Sequence, residues 1–135
     1  MAGLDLDRIE TWFRQHFPDF DKVMKVEMAA PRRARIRLNV ENTLLRPGGT
    51  VSGPSMMLLA DTAVYAALLA EDADAGSAVT SSFNISFLRR PRPVDLIAEA
   101  ELLSVGRRLV VGEVHLRSEG DQSLLAQATV TYARP

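Results

Sequence analysis

The chemistry available to this chain of 135 residues centres on one carboxylate. Residues 48–70 read GGTVSGPSMMLLADTAVYAALLA, a glycine-rich turn followed by a helix that is apolar nearly all the way round, with Asp61 in its middle. Met57 and Leu58 lie one turn before Asp61, and Val64 and Tyr65 one turn after, so its helix neighbours are hydrocarbon or a ring. An ionised carboxylate in such surroundings is costly unless it is paired or reactive. Two readings follow. Either Asp61 does chemistry, or it bonds to a partner subunit and does none.

The other reactive residue types are sparse. Cysteine is absent, which excludes disulfides, thiolate metal sites and cysteine nucleophiles. His16 and His115 stand alone without ligand-like spacing, so no metal is expected. Fourteen of the sixteen basic residues are arginine, and they gather at Arg89-Arg90-Arg92 and at Arg107-Arg108. Arginine is the better bidentate phosphate ligand, although such groups also occur simply as solvated faces. Dinucleotide-binding, P-loop and serine-hydrolase signatures are missing.

The elements that must position Asp61 are readable from periodicity. Residues 4–17 carry Leu6, Ile9, Trp12, Phe13 and Phe17 at helical spacing, with Asp5 or Asp7 as cap and Pro18 as terminator. Residues 22–30 and 33–40 read as two strands joined by a turn at Pro31, the second with Ala34, Ile36, Leu38 and Val40 inward and a basic outer face. Residues 42–49 read as an irregular loop. The apolar helix follows, with Ser52 as N-cap and Pro54 in the first turn, where a missing N–H is harmless. After an acidic loop at 72–76, residues 78–88, 94–105, 109–119 and 123–133 are strands, the last three a meander. A helix apolar on every side is normally buried. A sheet of about six strands can bury it only by curling round it, and a second subunit is the simplest cover for its remaining side.

Length bounds the chain as one domain spanning 1–135. Its 47% hydrophobic and 24% charged content is that of an ordinary globular protein. A net charge of −1 gives no field favouring nucleic acid or a membrane. The start of the chain is acidic and amphipathic, unlike a signal peptide, and the apolar run at 55–70 is too short to span a bilayer. A cytoplasmic location is the expectation.

These pieces, in this order, make the sequence resemble the hotdog fold. Within it the chain resembles the PaaI-like, phenylacetate-degradation-type acyl-CoA thioesterases. In that family a Gly-Thr-Val/Leu-His-Gly-Gly loop enters the central helix, and the catalytic carboxylate lies nine residues after the histidine. Here the loop is Gly49-Thr50-Val51-Ser52-Gly53-Pro54, and Asp61 is nine residues after Ser52. The segments Val79-Thr80-Ser81-Ser82-Phe83-Asn84-Ile85-Ser86-Phe87-Leu88, Arg90-Pro91, Ala98-Glu99-Ala100 with Gly106-Arg107-Arg108-Leu109, and Leu125-Ala126-Gln127-Ala128-Thr129-Val130-Thr131-Tyr132 resemble familial segments. Three positions depart: Ser52 replaces the family histidine, Pro54 replaces the second glycine, and Arg46 replaces an upstream asparagine, with Asn42 nearby but out of register.

The resemblance implies an α+β hotdog fold, a curled antiparallel sheet round a long central helix with an extra N-terminal helix. It implies hydrolysis of an aryl- or medium-chain acyl-CoA, with no cofactor beyond the coenzyme A of the substrate. By position, Asp61 would act as general base or nucleophile, Thr80 would hold the attacking water, and the Gly53 N–H at the helix start would bind the oxyanion. Ser52, beyond capping, could reach the thioester, and Ser55 could line the pocket. Arg46 and Asn42 would contact substrate. Arg89, Arg90, Arg107 and Arg108 would hold CoA phosphates. The assembly would be a homodimer or a dimer of dimers. A non-catalytic hotdog that binds acyl-CoA is the alternative. A hotdog dehydratase fits less well, because the central region lacks a histidine.

Overall fold

The computed structural model describes residues 2–43 and 45–135. Helix α1 (Leu6–His16) starts at Asp5, whose carboxylate accepts from the Arg8 N–H at 3.0 Å, and it buries Ile9 and Phe13. Pro18 ends this run as expected. A further single turn follows that periodicity does not reveal, α2 (Phe20–Val23), entered through Asp19 at a left-handed φ of 67°. The first strand is therefore shorter than 22–30: β1 is Met24–Ala30, and β2 is Arg33–Leu38. Val40 leaves β2 for a 3-10 turn (Val40–Asn42) because the Asp95 carboxylate binds its N–H at 2.9 Å. The segment expected as loop holds a small hairpin, β3 (Leu45–Arg46) and β4 (Thr50–Val51). Its turn uses Gly48 and Gly49 at φ 92° and 75°, where a side chain would be strained.

Helix α3 (Gly53–Glu71) has the predicted start, with the Ser52 hydroxyl accepting from the Ser55 N–H at 3.2 Å. A 3-10 turn (Ala75–Ser77) leads to β5 (Val79–Phe87), β6 (Leu96–Val105), β7 (Leu109–Ser118) and β8 (Ala126–Ala133). These strands form one antiparallel sheet in the order β1-β2-β6-β7-β8-β5. The meander β6-β7-β8 is as expected. Strand β5 attaches beyond β8 and forms one edge.

The sheet wraps α3 with the inward residues of alternating strands. Ala34, Ile36 and Leu38 of β2, Val110 and Val114 of β7, and Ala128, Val130 and Tyr132 of β8 are all buried. One close approach is at Gly112 of β7, where a Cβ would stand 2.9 Å from Val64 Cγ1 and 3.1 Å from Cγ2. By length and composition α3 could cross a membrane, contrary to the expectation that the run is too short. Its apolar surface is instead taken up by the sheet and by α1. On the outer face, Arg37 binds Glu27 at 2.6 Å, Glu119 at 2.9 Å and Asp95 at 3.1 Å, so part of the basic face is neutralised within the chain.

Burial on α3 is incomplete in a way that matters. Met56, Leu59, Ala60 and residues 63–70 are buried, but Met57 and Leu58 are 40% and 50% exposed. Asp61 continues this open stripe and is half-buried. Beside it the free edge β5 exposes Val79 and Phe87.

The core also stacks two tyrosines, Tyr65 and Tyr132, with ring centroids 5.7 Å apart. Burial raises the Tyr65 phenol, and burial followed by the negative Asp61 carboxylate raises Tyr132 well above the ordinary tyrosine range. The folded chain therefore keeps protons that the unfolded chain releases near pH 10.0. Stability should be complete below that pH and fall as the pH rises above it. In an absorbance titration, phenolate should not appear at the normal tyrosine midpoint but together with the loss of secondary structure. Gly112→Val should overpack the helix–sheet contact and lower the unfolding free energy by about 2 kcal/mol, measured by urea denaturation.

Candidate active site

Asp61 reaches its partners because of a β-bulge. Along β5, Phe83, Ile85 and Phe87 pair with Val130, Ala128 and Ala126, which are inward residues of β8. Simple alternation would then turn Ser81 inward and Thr80 outward. The register shifts between Thr80 and Ser82, so Thr80 pairs with Tyr132 instead. A bulge of this kind re-aims a side chain. Thr80 and Tyr132 end side by side on the inner face, both against Asp61.

The resulting contacts are specific. Thr80 Oγ1 donates to Asp61 Oδ1 at 2.9 Å, and the Tyr132 hydroxyl donates to the same oxygen at 2.8 Å. The Tyr132 oxygen also lies 3.2 Å from the Asp61 backbone carbonyl. Oδ2 has no protein partner among the described residues. Because the Tyr132 phenol is raised, it stays neutral and remains a donor across the ordinary pH range. One oxygen of the carboxylate is fixed by two hydroxyls, and the other is open to a reactant. Tyr132 escapes sequence reasoning because an inward tyrosine on a strand reads as core. Its only signal is that it ends a strand segment already matched to the family.

From Asp61 an apolar pocket of about 310 Å³ extends beneath the joint between α1 and α2. Phe13, Phe17, Phe20 and Tyr65 form much of its wall. Neither helix was assigned to the site by sequence.

The remaining candidates lie elsewhere. Gly53 and Asp61 are eight residues apart on one helix, about 12 Å by helical rise. They cannot serve one carbonyl within a single chain. At the helix start, the Phe87 ring packs against Gly53. Ser52 Oγ accepts from the Ser55 N–H and donates to Ser55 Oγ at 3.0 Å, so both serines are engaged with each other. Arg46 is exposed on β3, in the hairpin that feeds this helix start. The Asn42 amide donates to the Lys22 carbonyl at 2.8 Å and thereby ties the loop to α2. Arg89, Arg90 and Arg92, with Ser118, Asp121 and Ser123, line a polar cavity just past the end of β5. Arg107 and Arg108 are exposed in the β6–β7 turn, near the start of β5. The two arginine groups thus stand at opposite ends of the edge strand. The described residues contain no cluster of His, Cys, Asp and Glu suited to a metal ion.

Comparison with known proteins places this arrangement. Residues 48–133 match the model of the thioesterase superfamily. A crystal structure of a candidate thioesterase from a Silicibacter species is 40% identical, covers 100% of this chain and 94% of its own, and superposes with a TM-score of 0.93. Zebrafish thioesterase superfamily member 2 is 26% identical, with coverage of 98% and 100% and a TM-score of 0.85. A mutant of the phenylacetic acid degradation protein PaaI from Thermus thermophilus is 28% identical, with coverage of 87% and 99% and a TM-score of 0.74. No curated protein matches the sequence. The shared family model, the 40% identity over the full chain and the wrapped-helix topology agree, and the chain belongs to the thioesterase superfamily, as a PaaI-like hotdog thioesterase.

Proposed function

We propose that the protein hydrolyses an acyl-CoA thioester to free acid and CoA, in a site completed by a second copy of the chain. The observation that carries this reading is the Asp61 carboxylate, which lines an apolar pocket with Oδ1 held by Thr80 and Tyr132 and Oδ2 without a partner among the described residues. Oδ2 takes a proton from water as that water attacks the thioester carbonyl. The Thr80 oxygen accepts the water's other hydrogen. The tetrahedral oxyanion is stabilised by an unpaired N–H at a helix start, where the helix dipole is positive. Collapse expels the CoA sulfur, which takes the proton back from Asp61.

The helix start that binds the oxyanion is Gly53 of the partner subunit. About 12 Å along α3 separates Gly53 from Asp61 in one chain, which supports drawing the two groups from different chains. The open stripe at Met57, Leu58 and Asp61, together with the unpaired apolar edge β5, is the surface a two-fold mate would cover. Antiparallel pairing of β5 with its copy sets the start of one strand beside the end of the other. Arg107 and Arg108 of one chain then approach the 89–92 loop of its mate, so both arginine groups face one set of CoA phosphates. Such dimers can pair further into a dimer of dimers.

Asp61→Asn should reduce kcat by at least about a hundredfold, as expected for loss of a general base, while retaining substrate binding. The assay is a panel of acyl-CoAs with a thiol reporter. Tight binding without turnover in the unmutated protein would instead make it a binder. The shared site has its own test. Gly53→Pro removes the N–H; Ser52 is already extended at φ −71° and ψ 154°, as a residue before proline must be, and the added Cβ meets the Phe87 ring at 3.4 Å, an ordinary contact. Each single variant should be nearly inactive. Co-expressed, half the dimers are mixed and carry one intact site each, so about a quarter of wild-type activity should return. No recovery would place the site within one chain.

A further inference from the structure

We infer that Phe87 shields the oxyanion-binding N–H of Gly53 in its own chain from water and presents its ring to Asp61 of the partner subunit. The inference rests on the thioesterase reading and on the shared site, and adds a positioning residue to them. Phe87 is the last residue of β5 and keeps the inward parity of Phe83 and Ile85. It pairs with Ala126, which is fully buried, yet its own ring is 50% exposed because β5 has no strand on its far side. The ring nevertheless has a fixed neighbour. Its Cζ lies 3.4 Å, and its Cε1 and Cε2 3.9 Å, from the point where a Gly53 Cβ would stand. The ring tip therefore fills the space over the first residue of α3, next to that residue's N–H. Three residues on, Arg90 Nη2 comes within 2.6 Å of the corresponding point at Gly48. The end of β5 is thus packed at two places against the segment that leads into α3.

Within one chain Phe87 is remote from the carboxylate. Thr80, which is bonded to Asp61, pairs with Tyr132, whereas Phe87 pairs with Ala126. Six residues of β8 separate those two partners, about 20 Å by strand rise. When two β5 edges pair antiparallel, the end of one strand meets the start of the other. Phe87 then comes beside Thr80 and Asp61 of the partner subunit. Two separate routes, the contact with the helix start and the pairing of the strand edge, bring the same ring to the shared site.

The physical role follows from what the ring lacks. An N–H at a helix start stabilises an oxyanion best where water does not compete for it and the local dielectric is low. A phenyl ring offers no strong donor or acceptor, so it excludes water there without diverting the N–H. Alanine at position 87 would leave the donor in place but admit water to it. Contacts to the rest of the substrate would remain. The loss therefore falls on the transition state, and on kcat more than on KM. Leucine would keep the apolar cover.

The test uses the co-expressed pair of an Asp61→Asn chain and a Gly53→Pro chain, assayed with the acyl-CoA that the unmutated protein turns over best. Its single working site joins Asp61 of the Gly53→Pro chain to Gly53 and Phe87 of the Asp61→Asn chain. Phe87→Ala placed on the Asp61→Asn chain should lower the recovered kcat about tenfold and change KM less than about twofold. Phe87→Leu at the same place should keep kcat within about threefold. Phe87→Ala placed instead on the Gly53→Pro chain falls in the site that is already dead, and should change the recovered kcat less than about twofold. Both arrangements carry the same substitutions, so a merely structural effect of Phe87→Ala on folding or assembly would lower them alike. Equal activities, or the larger loss on the Gly53→Pro chain, would overturn the assignment and leave the thioesterase reading standing. An active unmutated protein with no recovery in the starting pair would reject the shared site and this role of Phe87, but not the hydrolysis. No turnover of any acyl-CoA by the unmutated protein would reject the thioesterase reading and this role with it.

Discussion

A carboxylate on an otherwise apolar helix is tolerated only where hydrogen bonds replace the water it loses. At Asp61 both replacements fall on one oxygen, and the surrounding architecture serves to bring them there. Gly112 lets α3 approach the sheet closely, and the β5 bulge turns Thr80 inward to meet Tyr132. Burial keeps the Tyr132 phenol protonated, so it can only donate to the carboxylate. The donors come from strands 19 and 71 residues away in sequence, so the geometry at Asp61 exists only when β5 and β8 are paired and packed on α3.

The same helix that carries the carboxylate sets a length constraint. A helix start and a mid-helix residue are separated by a fixed rise, and no side-chain movement removes about 12 Å. A catalytic pair drawn from those two places needs two helices. The exposed Met57–Leu58 stripe and the unpaired β5 edge are what remains uncovered when one chain folds alone. A two-fold mate seated there would make the assembly surface and the proposed reaction site one region.

Much of this was legible in the sequence, where the information is local. The α3 helix, its Ser52 cap, the strand pair before it and the meander after it each follow from periodicity and turn residues within a short window. The α2 turn and the β3–β4 hairpin were not legible, since four- and two-residue elements carry no period. The parity of Phe83, Ile85 and Phe87 points Ser81, not Thr80, at the helix, and only familial likeness singled out Thr80. Tyr132 looks like any core tyrosine until its register with Thr80 is known. The pocket joins residues 13–24 to residues 58–65, a long-range association that no window contains.

The altered loop bears on whether the site still works. Ser52 stands in the histidine's place, yet its hydroxyl is occupied by Ser55 and the helix cap, so it supplies no replacement base. Arg46 is exposed on the hairpin. What survives is the carboxylate and its two hydroxyls. A purely structural residue at position 61 would need one acceptor oxygen for Thr80 and Tyr132. Asparagine supplies that acceptor without placing a charge on an apolar helix, and it would be the cheaper choice for a protein that merely binds acyl groups. The second oxygen of Asp61, unpartnered among the described residues, is what asparagine lacks; Asp61 lines the pocket, and on the thioesterase reading this oxygen is the one that takes the proton from water.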